Sequence, residues 1–325
     1  MKSISKEELE QAAALVHRAM LPTAAYAWPL LADAVGAEVW VKHENHTPTG
    51  AFKVRGGLVY LDRLKRERPR VKGIVSATRG NHGQSLAFAA RAAGLPCSIF
   101  VPHGNSVEKN AAMRAFGADL RIQGQDFDEA KHHAAGLAQE MEYEFVPSYH
   151  RDLVTGVGTY ALELFTAQSD LDAVYVPIGL GSGISGLIAA RDALNLKTEI
   201  VGVVSEHADA YALSFEAGRP VATNSALTFA DGMAVRTPDP DAVAVVCAGA
   251  ARILRVSEIE IADAMRLYYT ATHSIAEGAG AAPLAGLLQE RSKMQGKKAG
   301  VILCGQNIDR EWFATILDGG TPAVK

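Results

Sequence analysis

Cysteine is scarce and scattered in this chain. Cys97, Cys247 and Cys304 are the only three in 325 residues, and no two are close, which leaves neither a disulfide framework nor a zinc spacing. No apolar run is long enough to span a bilayer, and the opening stretch MKSISKEELEQAAALV lacks the apolar core of a signal peptide. Positive charge is not in excess either. With 32 Lys and Arg against 36 Asp and Glu the net charge is −4, so neither nucleic acid nor an anionic membrane is expected as a partner. Low-complexity linkers and internal repeats are also missing. What remains is a chain 48% hydrophobic and 21% charged, long enough for a sizeable core. The expectation is a cytoplasmic globular protein of two domains.

Ser5-x-x-Glu8 ahead of a periodic run reads as a capped first helix. Beyond it, short β-branched runs (AEVWVKHE, GIVSAT, CSIFVP, DLRIQG, DAVYVPI, EIVGVVS and GVILCG) read as strands. Helical patterns at 52–67, 82–94, 106–117, 127–141, 155–167, 184–195 and 206–217 lie between most of them. Strands apolar on both faces and alternating with helices predict an α/β protein with two open parallel sheets flanked by helices. The polar, glycine-bearing stretch 149–158 reads as a domain boundary, and the proline-rich 234–243 as a surface loop.

Three stretches carry chemistry. In AVYVPIGLGSGISGLIAARDAL (173–194) a strand runs through Gly179, Leu180, Gly181, Ser182 and Gly183 into a helix. Glycines there let the backbone approach an anion, and free N–H groups at the helix start point toward it. The same residues match a dinucleotide fingerprint, Gly181-x-Gly183-x-x-Gly186, with Glu206 twenty positions on. A nicotinamide-dependent oxidoreductase is therefore a competing reading. VSATRGNHGQSLAFAARAAG (75–94) places two glycines and several donors at another strand-to-helix turn, suited to a carboxylate or the polar edge of a ring. On residue type alone, Asn81 there also suits a helix cap and His82 an ordinary partly buried helix position. VILCGQNID (301–309) ends a strand at Cys304, where ligands of open α/β sheets gather, although a lone cysteine is as readily a small core residue. Lys53, in TPTGAFKVRGG, lies between Phe52 and Val54. It reads either as a lysine snorkelling from a helix face or as one desolvated for nucleophilic use.

Taken together, WVKHENHTPTGAFKVRGG, SATRGNHGQSLAFAA, PIGLGSGISG, FADGMAV and ILCGQNID resemble the pyridoxal-phosphate-dependent serine/threonine dehydratases of fold type II, the tryptophan-synthase-β-like fold. The resemblance covers nearly the whole chain. It implies pyridoxal 5′-phosphate as cofactor, with Lys53 as the Schiff-base lysine and catalytic base. It implies Phe52 against the cofactor ring, Asn81 on its phenolic oxygen and Cys304 at its pyridine nitrogen. Gly179, Leu180, Gly181, Ser182 and Gly183 would hold the phosphate, with Gly232 and Glu277 close to the cofactor. Ser76, Thr78, Arg79, Gly80, Asn81 and His82 would grip the substrate carboxylate. The implied organisation is a large cofactor-binding domain (1–65 and 155–325), a small domain (66–154) and a homodimer.

The implied reaction removes water and ammonia from a β-hydroxy-α-amino acid of the threonine or serine type, giving a 2-oxo acid. Phenylserine and 3-hydroxyaspartate would undergo the same chemistry. Arg79 stands where racemases of the family keep a serine as second acid/base, which argues against racemisation and leaves a guanidinium for a carboxylate. Val204, Ala208 and Ala210 occupy the segment that supplies acidic ligands in metal-dependent relatives, so no metal is expected. Glu206 and Asp209, offset from that pattern, read as solvated helix-start charges.

Overall fold

The computed structural model describes residues 3–323. Among them, ten strands follow in chain order: β1 (Ala25–Ala27), β2 (Glu38–His43), β3 (Ile74–Ala77), β4 (Cys97–Val101), β5 (Asp119–Ile122), β6 (Glu144–Phe145), β7 (Ala173–Pro177), β8 (Glu199–Ser205), β9 (Arg252–Val256) and β10 (Lys298–Leu303). They form a six-stranded sheet of order β1-β2-β10-β7-β8-β9 and a four-stranded sheet of order β5-β4-β3-β6. Every pairing is parallel except β1 with β2. β1 has only three residues, too few to show a strand pattern in the sequence.

Helices cover both sheets, which is why β4 and β7 are buried along their whole length and read as unbroken apolar runs. In the four-stranded sheet the alternation of side chains feeds two cores. Ile74, Ile99 and Val101 pack beneath Tyr60, Leu61 and Leu64 of the helix Lys53–Glu67, whereas Val75, Ala77 and Phe100 pack on Ala130, Ala134 and Leu137 of the helix Phe127–Met141. The six-stranded sheet carries the largest core.

Within the stretch 149–158 the chain is helical from Arg151, in the helix Arg151–Ala167, capped through the His150 side chain. Gly156 serves close packing there, since a Cβ on it would lie 2.4 Å from the Arg55 carbonyl oxygen. The stretch 234–243 is a loop only in part. Asp239 caps a helix, Pro240–Gly249, with proline at its first turn, where the missing N–H costs nothing. The expected capping box at Ser5 and Glu8 is formed.

Candidate active site

Four helices begin at one place. Lys53 opens Lys53–Glu67, Asn81 opens Asn81–Ala93, Ser182 opens Ser182–Ala193, and Glu277 precedes Gly278–Gln289. None of the four has a side-chain cap. Their first-turn N–H groups and the positive ends of their dipoles are therefore left for an anion. Asn81 is not the cap it resembles, because the cap position belongs to Gly80.

Lys53 is half-buried, and its Nζ lies 3.4 Å from Ser182 Oγ and 4.9 Å from the centre of the Phe52 ring. Loss of solvent pushes its ammonium below the usual lysine range, against the opposing pull of Glu277. The helix that carries it is anchored two residues on. Arg55, fully buried, grips Glu44 through Nε at 2.7 Å and Nη2 at 2.9 Å, and Glu163 through Nη1 at 2.7 Å and Nη2 at 2.9 Å. Lys42 closes the cluster with Nζ 2.5 Å from Glu163 Oε2. Burial works against the charge of Glu163, yet Arg55, Lys42 and His17 outweigh it and hold its carboxyl at about 2. From the helix Asn81–Ala93, Ser85 Oγ donates to the Lys53 carbonyl at 2.6 Å.

The glycine-rich turn joins β7 to Ser182–Ala193. Gly181 takes φ +96°, which only glycine adopts without strain, and a Cβ on it would sit 2.7 Å from Ala242 Cβ. A Cβ on Gly179 would meet the Gly232 carbonyl oxygen at 2.3 Å, so the turn and the 232 loop touch backbone to backbone. Gly186 has a different duty. Its Cβ would fall 2.9 Å from the Gly158 nitrogen, so it lets two helices pack, and Glu206 is exposed at the surface. Those two residues of the dinucleotide fingerprint are thereby explained without a dinucleotide.

Asn81 donates from Nδ2 to Glu277 Oε1 at 2.7 Å, and its Oδ1 accepts from Asn307 Nδ2 at 2.8 Å. Glu277 is 2% exposed; burial raises its carboxyl to about 7, with Lys109 opposing and Asp231 adding to the rise. Cys304 is buried, and desolvation lifts its thiol well above the usual range, so it stays neutral. His82 is buried with Nε2 lacking any partner; desolvation, then the charge of Lys53, depress it to about 3. Thr78 Oγ1 accepts from Gly80 N at 3.0 Å and shapes that turn.

Two expected residues stand apart from this cluster. Ser76 lies within β3 and spends its hydroxyl on the Val146 carbonyl at 2.8 Å. Arg79 is exposed, and its charge is felt at Asp126. Asp209, expected to be solvated, instead accepts from Arg255 Nε at 2.8 Å. Lys109, Asp231 and Asn307 join the site without having been singled out. Beside Asn307 opens a cavity of about 510 Å³, lined in part by Gln84, Lys109, Ile275, Ile308 and Phe313. No group of three or more metal-ligating side chains is gathered among the described residues.

A phosphorylated aldehyde such as pyridoxal phosphate fits this set of donors. A desolvated amine, an uncapped helix start behind a glycine turn, an oriented amide and a neutral thiol stand together, and the unpartnered Nε2 of His82 lies close to them. A family profile described as "Pyridoxal-phosphate dependent enzyme" matches residues 16–305. The chain is 32% identical over 318 residues to the L-threonine ammonia-lyase of Thermotoga maritima, covering 98% of this chain and 79% of that one. It is 32% identical over 291 residues to the L-threo-3-hydroxyaspartate ammonia-lyase of Saccharomyces cerevisiae, covering 89% of each. A solved pyridoxal 5′-phosphate-dependent aspartate racemase superposes with a TM-score of 0.90 at 27% identity, covering 96% of this chain and 98% of that one. Profile, relatives and architecture agree: the chain belongs to the pyridoxal-phosphate dependent enzymes.

Proposed function

We propose that this protein is a pyridoxal-phosphate-dependent ammonia-lyase that dehydrates β-hydroxy-α-amino acids of the threonine and serine type to 2-oxo acids and ammonia. The observation that carries the reading is the Lys53 amine, desolvated at the meeting point of four uncapped helix starts. Lys53 holds the cofactor covalently. Gly179, Leu180, Gly181, Ser182 and Gly183 would hold its phosphate, Phe52, Gly232 and Glu277 would be close to it, and Asn81 would serve its phenolic oxygen. When bound, the cofactor supplies a sink for the electron pair left on the substrate α-carbon. Lys53 Nζ, freed by the incoming substrate amine, takes the α-proton and delivers a proton to the departing β-hydroxyl, which leaves as water. The released enamine tautomerises and hydrolyses.

Thr78, Gly80, Asn81 and His82 form the turn that receives the substrate carboxylate. Cys304, which stays a thiol, puts no anion at the ring nitrogen. That weakens the sink and favours prompt elimination over transamination. The likeness to a racemase does not displace this reading, because Arg79 points to solvent and offers no second acid/base beside Lys53. Partition of the strands between two sheets supports a large unit of residues 1–65 and 155–325 and a small one of 66–154. Exposed Leu21, Tyr26 and Leu30 support a homodimer, which sedimentation velocity tests, and a cytoplasmic location completes the reading.

Borohydride reduction followed by peptide mass spectrometry tests the assignment. The purified protein should be yellow, bleach on reduction and carry the adduct on Lys53, and an adduct elsewhere or none at all would sink it. A keto-acid assay over serine, threonine, phenylserine and both 3-hydroxyaspartate diastereomers identifies the substrate. If Arg79→Ala loses 3-hydroxyaspartate alone, Arg79 reads its second carboxylate; equal losses for all substrates exclude that role.

A further inference from the structure

We propose that Lys109 is a positioning residue of this site: held between Asp231 and Glu277, it fixes the Glu277 carboxylate that orients the Asn81 amide. The inference rests on the function proposed above and concerns how that site is kept in order.

Three segments meet at this lysine. Lys109, on the helix Val107–Ala115, is 5% exposed. Its Nζ lies 2.8 and 2.6 Å from the two carboxylate oxygens of Asp231, and 3.4 Å from Glu277 Oε2. Asp231 balances the charge of the buried ammonium and takes two of its three N–H groups, so the approach to a second carboxylate, rather than to a neutral acceptor, demands a separate reason. Its geometry supplies one. The other oxygen of Glu277 accepts from Asn81 Nδ2, while Asn307 donates to Asn81 Oδ1 and also to the Thr49 carbonyl at 2.8 Å. With its oxygen and one N–H engaged, Asn81 keeps a single N–H to give to the cofactor.

Lys109 also supports the turn from below. A Cβ on Gly80 would lie 2.4 Å from Lys109 Cδ, so the lysine stem packs directly beneath the residue before Asn81. Asn81 and Lys109 come from helices over the four-stranded sheet, whereas Glu277 and Asp231 come from segments of the other sheet's core. One carboxylate thus receives both an amide and an ammonium from across the cleft.

The charged and titratable groups facing Glu277 are Lys109, Asp231, Lys53 and Cys304. Lys109 favours its ionised form, and burial and Asp231 favour the neutral one. Neutral Glu277 carries a proton on one oxygen and is a poorer acceptor for Asn81. Activity and the cofactor's visible band should therefore share a transition near neutrality, with the ordered form on the alkaline side.

Holoenzyme is titrated over roughly pH 5 to 9, a range that brackets the transition, reading both the visible absorption of the bound cofactor and kcat. Lys109→Met should move the transition to higher pH by about one unit or more. It should also lower kcat by about 10- to 100-fold with a smaller change in KM. Asp231→Asn removes the group that raises Glu277, so its transition should move to lower pH. Glu277→Gln should abolish the transition, and adding Lys109→Met to it should cost little more. Opposite displacements in the two single variants are beyond a merely structural ion pair. An unmoved transition, or displacement in one direction for both, overturns the proposal. Should Lys109→Met not fold, the shift in Asp231→Asn still decides. A wild-type protein without the yellow band would instead overturn the functional reading itself.

Discussion

Lys53 Nζ and Ser182 Oγ stand 3.4 Å apart although 129 positions separate them in the chain. Each is the first residue of its helix, and both helices lie against Arg151–Ala167, which brings their starts together. Ser182→Ala should keep the Lys53 adduct while lowering kcat by about 3- to 10-fold, the worth of one hydrogen bond to the amine. Steady-state kinetics beside borohydride labelling checks this. Loss of the adduct itself would show that the hydroxyl is needed to seat the cofactor.

Gly181→Ala should weaken cofactor binding. The residue would hold φ +96° at a cost of about 1–2 kcal/mol. Its Cβ would also press on Ala242 at 2.7 Å. Gly218→Ala, at φ +64° with open space around it, is the control: a comparable backbone penalty without change in cofactor affinity. Fluorescence titration of the two variants with pyridoxal phosphate separates the outcomes.

Arg55→Met should destabilise the fold by about 3–5 kcal/mol, because it leaves Glu44 and Glu163 buried beside fewer cations. Arg68→Ala, which removes a largely exposed pair with Glu144, should cost about 1 kcal/mol or less. Urea unfolding measures both. Equal effects would mean that the buried cluster has no special hold on the helix of Lys53.

Stability should fall on acidification. His82 at about 3 and His43 at about 4 are held neutral by burial. Their contributions are complete above the ordinary value of 6.5 and are lost as pH drops toward the folded ones. Glu163 and Glu290, both at about 2, add a second loss below their ordinary 4.5. Glu277 has the opposite sign. Raised to about 7, it favours the fold below 4.5 and loses that contribution as pH rises. Two histidines outweigh one glutamate between 4.5 and 6.5, so the melting temperature should drop from about pH 6.5 downward and more steeply below 4.5. A melting temperature that climbs on going from pH 7 to 5 would contradict these assignments.

Much of the site was legible because its parts are local: a lysine between Phe52 and Val54, a glycine turn between strand and helix, a strand ending at Cys304. Each carries its signal within ten or so residues of chain. Lys109 does not. In NSVEKNAAM it looks like any lysine of an amphipathic helix, and only tertiary packing turns it onto Asp231 and Glu277. Asn307 and Asp231 lay inside quoted motifs, but nothing in their spacing says which side chain they meet. The same holds for Lys42, Glu44, Arg55 and Glu163, drawn from two distant stretches. Pro240 misled for another reason: proline marks a helix start as readily as a loop.

Dissolved salt acts on charges through the solvent around them, with a reach of about 8 Å at physiological ionic strength. It has little entry to the cluster of Lys42, Arg55, Glu44 and Glu163, two cations against two anions sealed almost wholly from water. The seat of the reactive amine is therefore indifferent to brine. Salt is left to act where charges face solvent, on exposed pairs such as Lys72 with Glu142 and on the arrival of a charged substrate.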